Sequence, residues 1–469
     1  MALMDQSELI IERFEKHSEY LKRNHKLFDI YEGNLLPYVQ DILQASLSKE
    51  YYDKIHSRVF PVNILKRVID KLAKAYQTNP TRSCNSNEEI LEFYEETLRF
   101  NYKMNYADEF AHLFKGYALE PFINMGQPGL RVIPFDRFFV IGEDLNDPLR
   151  PTIFVKIMGT IKIYDGDKEK EVQVLFAYSD EEFLAITEEG QILPKYMEEN
   201  EGINPIGRIP FYYGNRSEYS IMPVQDTDML ELSKLLPVLF TDLGGSIMFQ
   251  CFSIIYGIDV DLENANMSPN AFWTIKSDPQ SDKKPELGTI TPQADINKVL
   301  DYIKAVFSTW METRGIKVGS IGSMDANGLA SGVAKIIDEM DTFEARKKSI
   351  EAFKVEEKEF WKLLIDVHNY WVKSGELKGV GLLPADWKVT TEFDKPSPMI
   401  DRVTEVNTIA LEVEKGFLDQ RSAIEKLYPD LSKDEVDERL LLTSLEPINT
   451  IQGEGNDLAE SENRDIEGA

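Results

Sequence analysis

"GSMDANGLASGVAKIIDEM", residues Gly322–Met340, turns a glycine-dotted loop into a long helical pattern. Loops of this form often cradle phosphate at a helix N-terminus, so its reading decides how the rest of the chain is read. The nucleotide readings fail on spacing. A P-loop needs a lysine directly after its second glycine, where the ammonium reaches the phosphates. Here Gly328 is followed by Leu329 and Ala330, and the first lysine is Lys335. No G-x-G-x-x-G occurs, and the S-x-x-K pair of acyl enzymes would need a lysine where Ala334 stands. The loop therefore carries no recognised catalytic pattern. Its glycines, counted outward to Gly315, Gly319, Gly322 and Gly328, give backbone freedom, and Ser331 is placed to cap the helix behind it.

After Ser331 one apolar stripe continues through Val333, Ile336, Met340, Phe343, Ile350, Phe353, Phe360, Leu364, Val367 and Trp371. The spacing predicts a single helix of roughly 60 Å, several times the usual length. Before the loop, a helix over residues 294–313 aligns Ile296, Leu300, Ile303, Phe307 and Trp310. Before that come short strands, "FSIIYGIDVD", "AFWTIKSD" and "ELGTITP", joined by polar loops such as "SDPQSDKKPE". A further helix over residues 226–250 aligns Leu232, Leu235, Leu239, Leu243 and Ile247. Pro237 and Gly244-Gly245 inside it predict a kink or a break.

The rest makes the chain α+β. Residues 1–115 are mostly helical by pattern. Ile64, Val68, Leu72 and Tyr76 share a face of a helix expected to end at Asn79-Pro80, and a second stretch runs from Asn87 to Phe114. Residues 116–144 and 151–194 alternate with period two, with turn signals at Gly126–Gly129, Asp165-Gly166-Asp167 and Glu189-Gly190, which predicts an antiparallel sheet region. Residues 204–220 read as an extended segment that closes it. Lys388–Phe393 is one more strand, and two or three short helices with a break at Gly416 follow, the last opening on a Ser432/Glu435 capping box. From Pro447 the acidic tail has almost no large apolar side chains and reads as disordered.

The formal charge is -29, and it falls after residue 82, the part before that being near balance. A free-standing duplex binder shows a basic face, and none is visible here. No membrane span is expected, and the first residues read as an amphipathic helix rather than a signal peptide. Cys84 and Cys251 lie far apart and fit a reducing cytoplasm. The five histidines, His17, His25, His56, His112 and His368, have no metal-ligand spacing, and no metal or other cofactor is expected. Carboxylate pairs such as Asp338/Glu339 and Glu356/Glu357 read as solvated helix faces. Trp273, Trp310, Trp361 and Trp371 read as core or interface, and Arg346–Lys348 as a neutralising patch. No bond-making chemistry is indicated.

Taken in order, these pieces resemble the portal proteins, or head-tail connectors, of tailed double-stranded DNA bacteriophages of the siphovirus type. The resemblance rests on "FPVNILKRVIDKLAKAYQTNP", "IGRIPFYYGNRSEYS", the helix–β insert–helix unit, "GSMDANGLASGVAKI" and "TTEFDKPSPMIDRVTEVNTIALEVEKGFLD", and it spans most of the chain. It implies a wing over residues 1–221, stem helices over 222–250 and 294–315, and a clip over 251–293. A tunnel loop follows over 316–330, a long wing helix over 331–374, a wing strand over 375–400, a crown over 401–446 and the tail over 447–469.

The resemblance implies a dodecameric ring at one capsid vertex of the virion, assembled from host bacterial cytoplasm. DNA would cross its channel non-specifically and transiently during packaging and ejection. Its partners would be the terminase large subunit, head-completion or adaptor proteins, and the major capsid and scaffolding proteins, with no membrane. The ATPase belongs to the terminase, in keeping with the absent P-loop. On this reading Lys317, Val318, Gly319, Ser320, Gly322, Ser323, Asp325, Asn327 and Gly328 line the channel. Asp278, Asp282, Lys283 and Lys284 offer the clip's docking surface. Two other readings stand beside it: an oligomeric virion structural or scaffolding protein without a channel, and a nucleotidyltransferase-like enzyme.

Overall fold

The computed structural model describes residues 3–142, 144, 146–165, 168–197, 201–224, 226–251, 254–258, 286–290, 296–316, 332–394, 402–428, 435–437 and 439–441. Expectations for the strand at 271–278, the loop after Ile316 and the acidic tail lie outside the described residues. Residues 1–328 and 338–396 form one compact unit, and residues 329–337 and 397–469 a second. Helices and antiparallel strands both contribute, so the chain is α+β.

The first unit opens with α1 (Ser7–Tyr31), α2 (Leu36–Ser46), α3 (Lys49–Ile55) and α4 (Ile64–Leu72). Helix α1 buries Ile10, Phe14, Leu21, Leu27 and Ile30 along one side. Helix α4 starts at Asn63, whose side chain accepts the Lys66 N–H. It ends at Leu72, earlier than Asn79-Pro80, because the Ala75 N–H turns away to the buried carboxylate of Asp108 at 2.8 Å. Strand β1 (Thr81–Cys84) follows, a strand the helical reading of this region missed. The stretch from Asn87 to Phe114 is two helices, α5 (Glu88–Thr97) and α6 (Phe100–Phe114). They part at Arg99, which takes φ 49°, and the bend lets Phe100 stack on Phe360 at 5.3 Å.

Strands β2 (Gly116–Asn124) and β3 (Gln127–Pro134) form a hairpin whose turn is Met125-Gly126. Both turn residues have positive φ, 50° and 75°. That is the two-residue turn whose twist matches paired strands, so the turn sits ahead of the expected Gly-Gln-Pro-Gly, most of which is already strand. A meander follows: β4 (Phe138–Ile141), β5 (Ile153–Asp165), β6 (Lys168–Tyr178) and β7 (Phe183–Thr187), paired in that order and all antiparallel. Strand β8 (Tyr212–Asn215) pairs with β2, so the extended closing segment becomes an edge of the first sheet. The two sheets are tied by Lys156, which holds both carboxylate oxygens of Glu120 at 2.7 Å.

Helix α7 (Thr227–Cys251) runs through Pro237 and Gly244-Gly245 as one helix. The Ser233 and Thr241 hydroxyls bond back to the carbonyls of Met229 and Pro237, and Leu236 and Leu243 pack with Ile303. Tertiary packing thus holds a helix that local preference would interrupt. Strands β9 (Ile254–Ile258) and β10 (Glu286–Ile290) make an antiparallel pair before α8 (Ile296–Glu312). The start of α7 meets the end of α8, where Trp310 Nε1 donates to Asp228, so the two helices are antiparallel.

Helix α9 (Gly332–Ser374) has 43 residues, about 65 Å at 1.5 Å per residue. From Ile350 onward it is buried on a broad face that includes Phe353, Phe360, Trp361, Leu364, Val367 and Trp371. Strand β11 (Val389–Glu392) pairs with β1 across some three hundred residues of chain. In the second unit, α10 (Arg402–Glu414) and α11 (Gln420–Leu427) are separated at Gly416, with φ 74°. The Asp419 carboxylate caps α11 by accepting the Ser422 N–H.

Candidate functional site

The loop residues Lys317, Val318, Gly319, Ser320, Gly322, Ser323, Asp325, Asn327 and Gly328 lie outside the described residues. So do Asp278, Asp282, Lys283 and Lys284 of the β insert. The structure describes what holds these segments at their roots.

The loop leaves from a fixed point. Gly315, expected to add pliability, instead stops α8 with φ 68°. The Gly315 N–H bonds to Glu312 O and the Ile316 N–H to Met311 O, each at 3.0 Å. This is a Schellman motif, and its usual apolar contact is supplied by Met311 and Ile316, both almost fully buried. Arg314, between them and the helix, donates to both oxygens of Asp228 at 2.8 and 3.0 Å. Asp228 lies in the first turn of α7, where the helix end favours a negative charge. Beside it, Lys115 holds Asp226 at 2.8 Å, and that bond first, with Arg314 adding, keeps the Asp226 carboxyl below the usual carboxylate range. Two carboxylates and two cations thus clamp the end of α8 onto the start of α7 and the end of α6. The β insert is rooted by the register of β9 and β10, from Ile254 against Ile290 to Ile258 against Glu286.

Helix α9, which follows the loop in the chain, is anchored in its middle by a pair of glutamates. Glu356 and Glu357 do not lie on a solvated face: both are buried, Glu357 completely. Arg82 of β1 meets Glu357 through Nε and Nη2, both at 2.7 Å. Tyr76 and Thr391 donate their hydroxyls to the same carboxylate at 2.6 Å. Arg82 spends Nη1 on Glu95 and Asn101. Glu356 accepts from Tyr117 at 2.8 Å and pairs with Arg216, just past β8, at 3.0 Å. Burial raises the Glu356 carboxyl above its usual range against the pull of Arg216. The sequence did hold a signal. Phe353, Glu357 and Phe360 are spaced as i, i+4 and i+7, so the stripe itself places Glu357 on the buried side.

A third group lies under α9. Asp108 of α6 is fully buried, and burial pushes its carboxyl up to about 7. Its Oδ1 sits 3.5 Å from His112 Nε2, a contact rather than a hydrogen bond. Burial, with Arg216 and Arg314, pushes His112 down to about 4. The expected patch Arg346–Lys348 is partly engaged: Arg346 donates to Thr78 at 3.1 Å.

Chemically these groups brace. Both oxygens of Glu357 accept two bonds each, which leaves no lone pair for a substrate. Among the described residues no cluster of His, Cys, Asp or Glu is placed to hold a metal ion, and no helix is long and apolar enough to cross a membrane. Trp310, Trp361 and Trp371 are core residues, while Trp273 lies outside the described residues. Comparison of the sequence with family models and with characterised proteins returns no match.

Proposed function

We propose that this chain is a portal-type subunit: a ring-forming virion protein through whose channel viral DNA is packaged and ejected. The observation that carries the reading is the succession from α7 to α9. An antiparallel helix pair, with an antiparallel strand pair between its two helices in the chain, is followed beyond residues 317–331 by a 43-residue helix. That order is the stem, clip, stem, tunnel loop and wing helix expected from the resemblance.

Two physical features support it. The loop is clamped at its α8 root by Arg314, Asp228 and the Gly315 stop, and α9 behind it is locked to β1 by a buried charge pair and to β2 and β11 by hydroxyl hydrogen bonds to its buried glutamates. A loop that touches moving DNA needs rigid mounts, because force on it must not unfold its own helices. The net charge of -29 suits sliding, since strong phosphate contacts would add salt-dependent sticking. On this reading the ring is dodecameric, the β insert docks the terminase and later the head-completion proteins, and the chain itself turns over no nucleotide.

The test is imaging of the purified chain by negative-stain electron microscopy, with its mass in solution. Rings with an axial hole support the reading. Compact monomers, or assemblies without a hole at any concentration, would count against it. ATP hydrolysis by the purified chain would favour the enzyme reading instead.

A further inference from the structure

A cleft of the first unit lies against α1, away from α7, α8 and α9. It has a volume of about 670 Å³, between α1 and the turn that joins β3 to β4. Mononucleotide-sized ligands occupy pockets of this order. One wall is Lys22, His25 and Lys26, which share a face of α1 by their spacing. Asp136-Arg137 line it beside His25, and the floor is Ile157, Met158 and Gly159 of β5. The floor is open because a β-bulge falls between Ile157 and Gly159, and a side chain added at Gly159 would meet nothing within 4 Å.

Two features single this cleft out. First, Lys22, Lys26 and Arg137 face only two carboxylates, Asp136 and Glu188, so the local sign opposes the net charge of -29. Second, the Asp136 side chain is 2% exposed, yet only one of its oxygens is used. His25 Nδ1 holds Oδ2 at 3.0 Å, while Oδ1 is buried without a partner. A buried carboxylate oxygen left unpaired is costly, and since Oδ1 has almost no accessible surface, a ligand recovers that cost only when the Asp136 side chain turns toward the cleft. A cationic donor would face Arg137, His25 and the two lysines. A neutral hydroxyl or amino group would not. Half-buried Tyr38 supplies aromatic surface for the ligand's body, while Phe14 and Leu21 line the cleft as nearly buried core residues.

We propose that this cleft binds a small phosphorylated ligand of mononucleotide size. Its phosphate meets Lys22, Lys26 and Arg137, and a hydroxyl or amino group donates to the Asp136 carboxylate. The site is remote in sequence from the loop and the β insert, and it stands whether or not the chain forms a ring.

The test is calorimetric titration of the full chain with adenosine 5′-monophosphate, adenosine and inorganic phosphate. The nucleotide should bind saturably and at least about tenfold tighter than either half, since each good charge-assisted contact is worth about a factor of ten. The double variant Lys22→Ala, Lys26→Ala removes only exposed side chains and should weaken the nucleotide by about tenfold or more while leaving adenosine unchanged. Asp136→Asn should weaken nucleotide and adenosine alike and leave phosphate unchanged. Nucleotide binding no tighter than phosphate alone, or untouched by the lysine variant, would overturn the proposal. So would the absence of saturation at about 10 mM, or tighter binding of a poly-aspartate peptide, which would assign the cleft to an acidic protein segment.

Discussion

Arg82 and Glu357, 275 residues apart in the chain, meet through two parallel hydrogen bonds of 2.7 Å with neither side chain exposed. This one contact joins the strand pair β1–β11 to the long helix α9. Its geometry is the bidentate fork that only a guanidinium supplies.

Replacing Arg82 by alanine should therefore destabilise the first unit by about 3–5 kcal/mol, because Glu357 is left buried without its counter-charge. Arg82→Lys should recover little of that loss, since an ammonium cannot serve Glu357, Glu95 and Asn101 together. Urea unfolding of the three proteins measures both. A lysine variant as stable as the parent would mean that charge alone, not the fork, holds α9.

Asp108 and His112 give a pH prediction with opposing signs. The folded Asp108 carboxyl titrates at about 7, above its usual range, so from about pH 4 to 7 the folded state holds a proton that the unfolded chain has lost. Stability from Asp108 falls as pH rises through that window. The folded His112 titrates at about 4, below its usual range, so between about pH 4 and 6.5 the unfolded chain holds the extra proton. Stability from His112 rises with pH there. The two slopes oppose, so the contributions of this pair largely cancel in the parent. Asp108→Asn should unmask the rising slope and His112→Gln the falling one. The ring of His112 is partly exposed, so solvent screens its arginine neighbours and the His112 window should be the narrower. Identical pH–stability curves for parent and both variants would show that neither group titrates abnormally.

Gly315 carries a conformational prediction. At φ 68°, alanine is strained by about 1–2 kcal/mol, and asparagine by less. Thermal unfolding should rank glycine, asparagine and alanine in that order. Equal melting temperatures would mean that α8 stops for another reason.

If the chain is a portal subunit, proline at Gly319 and Gly322 should stiffen the channel loop by fixing φ. Rings should still form, while packaging or genome retention fails in infected cells. Alanine at Asp278, Asp282, Lys283 and Lys284 should likewise spare rings and impair packaging, through loss of motor docking. Normal DNA filling in either variant would remove that segment from the DNA-handling role.

Helix and strand content was legible wherever a local period was long enough. The stripes through Leu239 and Leu243, through Ile303 and Trp310, and through Phe353 to Trp371 mark α7, α8 and α9, because a helix face must repeat every three to four residues whatever it packs against. The alternation over residues 116–187 marks the hairpins for the same reason. What the tertiary structure alone decided lies where local preference met a distant partner. Helix α4 stops because Asp108 takes the Ala75 N–H, and α7 continues through Pro237 because Leu236 and Leu243 pack on Ile303. Four residues at 81–84 become a strand only because Val389–Glu392 is there to pair with them. Glu357 reads as surface by its chemistry and as core by its position. Burial wins because Arg82, Tyr76 and Thr391 converge on it from elements far apart in the chain, and that convergence is a property of the fold rather than of any window of sequence.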